Sequence, residues 1–92
     1  MNSYEAVVIL TSKLSEEETT ETVNKIKELI SSNGEVVSVD EWGKRKLAYE
    51  ISHETEGQYF LFTFNSEAKF ISEFERVLRI NSQVLKHMVI KK

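Results

Sequence analysis

Val37-Ser38-Val39-Asp40-Glu41-Trp42-Gly43-Lys44-Arg45-Lys46-Leu47-Ala48-Tyr49-Glu50-Ile51 is the stretch on which the fold turns. Val37 and Val39 before its centre, and Leu47, Tyr49 and Ile51 after it, alternate with polar residues, the period-two signature of a half-buried strand. Gly43 sits in the middle, and glycine inside a strand pattern marks a bulge or bend. The stretch reads either as one long strand, irregular at Gly43, or as two short strands joined there. Glu54-Thr55-Glu56-Gly57 follows as a polar turn. Beyond it, Phe60, Phe62 and Phe64 alternate with Tyr59, Leu61 and Thr63, so Tyr59 to Phe64 reads as a second buried strand.

Working outward, Asn33-Gly34 supplies a left-handed helix stop before the long strand. Val23, Ile26, Leu29 and Ile30 follow helical spacing, and Ser15-Glu16-Glu17-Glu18 is a capping box with acids where the helix dipole favours them. A helix is predicted over about residues 16–32. Before it, Tyr4 to Thr11 is apolar on both faces, as in a central strand. After the second strand, Asn65-Ser66 reads as the cap of a second helix with a stripe of Phe70, Ile71, Phe74, Val77 and Leu78. Asn81-Ser82 ends that helix, and Val84 to Ile90 is the last strand. The order strand, helix, strand, strand, helix, strand predicts one α+β domain over residues 1–92. This is the ferredoxin-like βαββαβ arrangement, a four-stranded antiparallel sheet with two helices on one face.

The 92 residues are 40% hydrophobic and 29% charged, a globular profile. With no cysteine there is no disulfide, thiolate metal site or cysteine nucleophile. Met1 leads into polar residues without a basic, apolar leader pattern, so the expected compartment is the cytoplasm. The net charge of −3 is unevenly spread. Residues 1–41 hold nine acids and three lysines; residues 42–92 hold nine Lys or Arg and six acids, with no acid after Glu75. Such asymmetry points to an anionic partner for one end of the molecule.

Catalytic patterns are lacking. His53 and His87 lie far apart in sequence without further ligands around them, and they read as surface or packing residues. Thr11-Ser12-Lys13-Leu14, the first strand-to-helix connection, has no glycine, so it is not expected to wrap an oxyanion in backbone amides. That argues against a small phosphatase on this fold. The chain is therefore expected not to be an enzyme, and no cofactor or metal is expected. Gly57 to Phe64 has the aromatic alternation of the third strand of an RNA-recognition motif, but Glu56 stands before the glycine and the three phenylalanines face inward. Val7, Ile9, Tyr59 and Leu61 line the opposite sheet face, which no helix of this chain covers; they are the candidate partner interface. The candidate phosphate contacts are Lys44 and Arg45 in the central run, and a C-terminal corner of Arg76, Arg79, Lys86, Lys91 and Lys92.

Glu41-Trp42-Gly43-Lys44-Arg45-Lys46-Leu47-Ala48-Tyr49-Glu50-Ile51 resembles the signature strand of the bacterial small-subunit ribosomal protein S-six family. Tyr4-Glu5, Leu78-Arg79-Ile80 and Met88-Val89-Ile90-Lys91 match it in order and spacing. The resemblance implies a ferredoxin-like structural component of the ribosome. It would bind the central domain of small-subunit ribosomal RNA in a heterodimer with ribosomal protein S-eighteen. It also implies RNA-side positions at Tyr4, Arg79, Lys86, Lys91 and Lys92, and a structural role for Trp42 in closing the long hairpin on the sheet. Asn2 and Ser3 stand where relatives carry a basic residue, and Glu50 replaces a frequent proline. The sequence stops at Lys92, where many relatives have a polar or acidic tail. The competing reading is a small-molecule-sensing regulatory domain of the same fold, which calls for a glycine-bearing first loop.

Overall fold

The computed structural model describes residues 1–51 and 53–92. Its elements are β1 (Asn2–Thr11), α1 (Glu16–Asn33), β2 (Gly34–Ile51), β3 (Glu54–Ser66), α2 (Ala68–Ile80) and β4 (Val84–Lys91). The strands form one antiparallel sheet in the order β2-β3-β1-β4, the ferredoxin-like arrangement the sequence predicts. Tyr4, Ala6, Val8 and Leu10 of β1 and Phe60, Phe62 and Phe64 of β3 face the helices and pack on Ile26, Ile30, Phe70, Phe74 and Leu78. Phe62, Phe64 and Phe74 are fully buried, each worth roughly 2–3 kcal/mol of transfer free energy. Phe64 sits at the centre of the aromatic packing, stacked on Tyr4 and edge-on to Phe70 and Phe74. α1 lies over β2 and β3, and α2 lies over β4.

α1 starts as expected: the Ser15 hydroxyl accepts from the Glu18 amide, and the Glu18 carboxylate accepts from the Ser15 amide. Its far end differs from the predicted left-handed stop. Gly34 is extended (φ −179°) and is already the first residue of β2, paired with Ser66. Here glycine is required by proximity: a β-carbon would stand 2.1 Å from the Asn65 carbonyl oxygen.

β2 is one continuous strand whose pairing with β3 is interrupted between Lys46 and Ile51 and shifts register at two further places. The one at Gly43, with φ +79°, is the predicted bulge. The other skips Val37 between Val36 and Ser38. It breaks the expected alternation: Val36 and Val39 pack on the core, and Val37 is 56% exposed. Glu54 to Gly57 is not a turn, because β3 already begins at Glu54 and pairs with β2 from there. The predicted cap Asn65-Ser66 also belongs to β3. α2 begins after Glu67 without a side-chain cap, and the Ser66 hydroxyl donates instead to the Glu67 carbonyl.

Candidate RNA and protein interface

The face of the sheet turned away from the helices carries Glu5, Val7 and Ile9 of β1, Tyr59, Leu61 and Thr63 of β3, and Lys86, Met88 and Ile90 of β4. Side chains alternate across a pleated strand, and the register pairs Ile9 with Tyr59 and Lys86, Val7 with Leu61 and Met88, and Glu5 with Ile90. Met88 is 49% and Ile90 50% exposed. They extend the predicted apolar patch to the sheet edge. The sequence carried their signal, alternation within the last strand, but not which neighbours the strand would meet.

Ile9 is a correction. It is only 7% exposed, because the β2–β3 hairpin folds over this end of the sheet and brings Leu47 and Ile9 together above Gly57. The open face is thus covered at its hairpin end and bare around Val7, Leu61, Met88 and Ile90. Trp42 stacks on Tyr59 with ring centroids 6.4 Å apart, fastening the hairpin to the sheet. Arg45 lies over the other ring of that pair, 5.7 Å from the Trp42 centroid.

Two polar ties hold the hairpin from its outer end. Lys86 Nζ donates to the Tyr49 hydroxyl at 3.0 Å and lies 5.2 Å from its ring centroid, joining the β2 edge to the β4 edge across the open face. The bond to Tyr49 pushes the Lys86 ammonium above the ordinary lysine range. The second tie is the Glu54 carboxylate. It accepts from the Thr11 hydroxyl at 2.7 Å and from the Ser12 amide at 3.1 Å. Burial raises its pKa, but the hydrogen bonds from Thr11 and Ser12, with the nearby Lys13 charge, outweigh that and hold it below the usual carboxylate range. The glycine-free first loop does donate a backbone amide to an anion, and that anion belongs to the protein itself.

The candidate phosphate contacts do not form one corner. Arg79 in the last turn of α2 and Lys86 at the start of β4 line the same shallow depression of about 270 Å³, with Leu78, Val84, Leu85 and His87. Lys91 is paired with Tyr4 at the far end of β4, five residues or about 17 Å along the strand. It points to the helix side, opposite to Lys86. The Lys92 amide donates to the Ser3 carbonyl. Arg76 is bound to Glu73 on its own helix, with Nε 3.0 Å from the carboxylate. Tyr4 is buried on Phe64 and presents no ring to a partner; its hydroxyl accepts a long bond from Asn2. Lys44 and Arg45 are exposed on β2. His53 is exposed at the hairpin tip, 3.6 Å from Glu50, and His87 is half-buried on β4. Among the described residues no group of His, Asp and Glu is arranged to hold a metal, and no helix is long and apolar enough to cross a membrane.

Comparison with known proteins gives a consistent result. The family model described as Ribosomal protein S6 matches residues 3–91. The chain is 48% identical over 92 residues to the small ribosomal subunit protein bS6 of Thermoanaerobacter pseudethanolicus, covering 99% of this chain and 97% of the relative. It is 46% identical to that of Clostridium acetobutylicum, covering 98% and 96%. The crystal structure of the 30S ribosomal protein S6 of Thermotoga maritima superimposes with a TM-score of 0.93 at 27% identity, covering 99% of this chain and 87% of that one. Fold, signature strand and sequence identity agree, and the chain belongs to the ribosomal protein S6 family of the small ribosomal subunit.

Proposed function

We propose that the protein is a structural, non-enzymatic component of the cytoplasmic small ribosomal subunit that binds the central domain of its ribosomal RNA in a heterodimer with ribosomal protein S-eighteen. The observation that carries this reading is the division of the surface. An apolar sheet face without a helix over it lies next to the β4 edge, which Lys86 flanks on the open face and Arg79 on the helix side, while the acid-rich α1 lies over the β2 side. The apolar face fits a protein, and the cations fit phosphate. Lys44, Arg45, Lys91 and Lys92 remain RNA-side candidates, and Val7, Tyr59 and Leu61, with Met88 and Ile90, form the protein-side face.

A chain of net charge −3 neutralises few phosphates unaided. Gel-shift titration should therefore show weak RNA binding by the protein alone and tight binding with S-eighteen. Nanomolar binding by the isolated chain at physiological salt would refute the shared mode. In the partner-bound state, Arg79→Ala should lower the slope of log affinity against log salt by about one unit, the loss of one phosphate contact. Lys25→Ala on exposed α1 should leave the slope unchanged. Equal changes would put RNA on the other side of the molecule.

The protein face has its own test. Leu61 sits opposite Asp40, where a second carboxylate would strain the sheet. Met88 is on the more exposed edge strand. Met88→Asp should preserve the circular dichroism spectrum and weaken S-eighteen binding by about 2 kcal/mol, the scale of a charge placed in an apolar contact. Undiminished pairing would show that the face is not the interface.

A further inference from the structure

Two basic segments separated in sequence, the run through Arg45 and the strand bearing Lys86, meet on the open face because the hairpin crosses it. There Arg45 lies over Trp42, Trp42 stacks on Tyr59, and Lys86 lies over Tyr49. A cleft of about 200 Å³ beside them is lined by Val7, Ile9, Tyr59, Lys86, His87 and Met88. Tyr49 is 60% exposed although it holds Lys86. Its oxygen accepts from the ammonium, so its own proton is free to donate elsewhere, and the ammonium keeps two further N–H groups.

We propose that this hairpin end of the sheet holds an unpaired nucleotide of the RNA. Lys86 and the Tyr49 hydroxyl donate to a phosphate, the base stacks on the Tyr49 ring face turned away from Lys86, and Tyr49 positions the Lys86 ammonium. The inference rests on the RNA-binding reading above and assigns it a place. Cations set beside exposed aromatic rings suit a nucleotide, whose phosphate pairs with the charge and whose base has a π-face. The charge pattern also favours a polyanion here. Lys44, Arg45 and Lys46 share the hairpin with Tyr49. Of the nearby acids, Glu56 is paired across the ladder with Lys46, and Glu50 lies against His53. The open-face acids Glu5 and Asp40 lie further along the sheet, beside the apolar region assigned to protein.

The test is a mutant cycle on the preformed complex with S-eighteen, titrated onto a transcript of the central domain. Tyr49→Ala should weaken RNA binding about tenfold, the scale of one lost stacked base. Tyr49→Phe, which keeps the ring and loses the hydroxyl, should weaken it about threefold. Lys86→Ala should lower the salt slope by about one unit, and the Tyr49→Ala/Lys86→Ala double variant should bind within about twofold of the weaker single variant. Affinity for S-eighteen should be unchanged in all four. Additive losses would remove the positioning role and overturn the proposal. So would unchanged RNA affinity, or a loss confined to S-eighteen binding, which would make the site a protein contact. If Tyr49→Ala loses its native circular dichroism spectrum, Tyr49→Phe decides: unchanged RNA affinity there overturns the proposal. A wild-type complex that fails to bind the transcript overturns the parent reading too, whereas binding that is indifferent to Tyr49 sinks this inference alone.

Discussion

Gly34→Ala is expected to destabilise the protein by about 3 kcal/mol, at the upper end of the cost of overpacking. The helix passes into β2 without a connecting residue: Asn33 ends α1, and Gly34 pairs with Ser66. The added methyl would meet the Asn65 carbonyl oxygen at 2.1 Å and the Ser66 β-carbon at 3.0 Å. Neither is the movable tip of a side chain, so the strand itself must shift. Gly43→Ala is the contrasting substitution. Nothing lies within 4 Å of its β-carbon position, and the cost there comes only from the positive φ, about 1 kcal/mol. Urea unfolding of the two variants checks the comparison; a Gly34→Ala loss no larger than that of Gly43→Ala would show that the junction gives way easily.

Glu54→Ala should cost about 2 kcal/mol at neutral pH, because it leaves the Thr11 hydroxyl and Ser12 amide without the carboxylate they bind. The pH dependence has a definite sign. The folded-state pKa of Glu54 is depressed, so the unfolded chain takes up its proton first as acid is added. The stabilisation is complete above the ordinary carboxylate range, about pH 4.5, and is lost as pH falls through the lower folded value. Glu54→Gln should therefore flatten the fall in urea midpoint as the pH drops below the ordinary carboxylate value of 4.5. An equally steep fall in the variant would assign the acid sensitivity to other carboxylates. Glu18 and Glu73 are also depressed, by their bonds to Ser15 and Arg76, and are the groups to examine next.

What could be read in the sequence was whatever local chemistry announces. The serine and glutamate three residues apart marked the start of α1, and Gly43 marked a bulge, because each residue type has a specific backbone use. The bulge at Val37 had no such marker. Valine is an ordinary strand residue, and one skipped position exchanges the faces of everything beyond it. Glu54 looked like a turn residue because its partners, Thr11 and Ser12, are more than forty positions away. The same distance hid the buried polar contacts of Thr19 with Gln58 and of Thr22 with Gln83. For the candidate site, composition identified the cations and alternation identified the apolar face. That β4 sends Lys86 and Lys91 to opposite sides, that Tyr4 is core, and that Tyr49 crosses to Lys86 depend on strand order and hairpin curvature.

The pairing of β1 with both β3 and β4 has a consequence for how the protein is made. β1 comes first among the four strands of the sheet, yet one of its two neighbours is the last of the four, and the contacts Tyr4–Lys91 and Ser3–Lys92 join residues more than eighty positions apart. Closing so long a loop is entropically costly and slow relative to forming the β2–β3 hairpin. On the translating ribosome the nascent chain can assemble its helices and hairpin early, but the native sheet closes only once residues 84–91 have left the exit tunnel. Until then β1 exposes the hydrogen-bonding edge that β4 will cover.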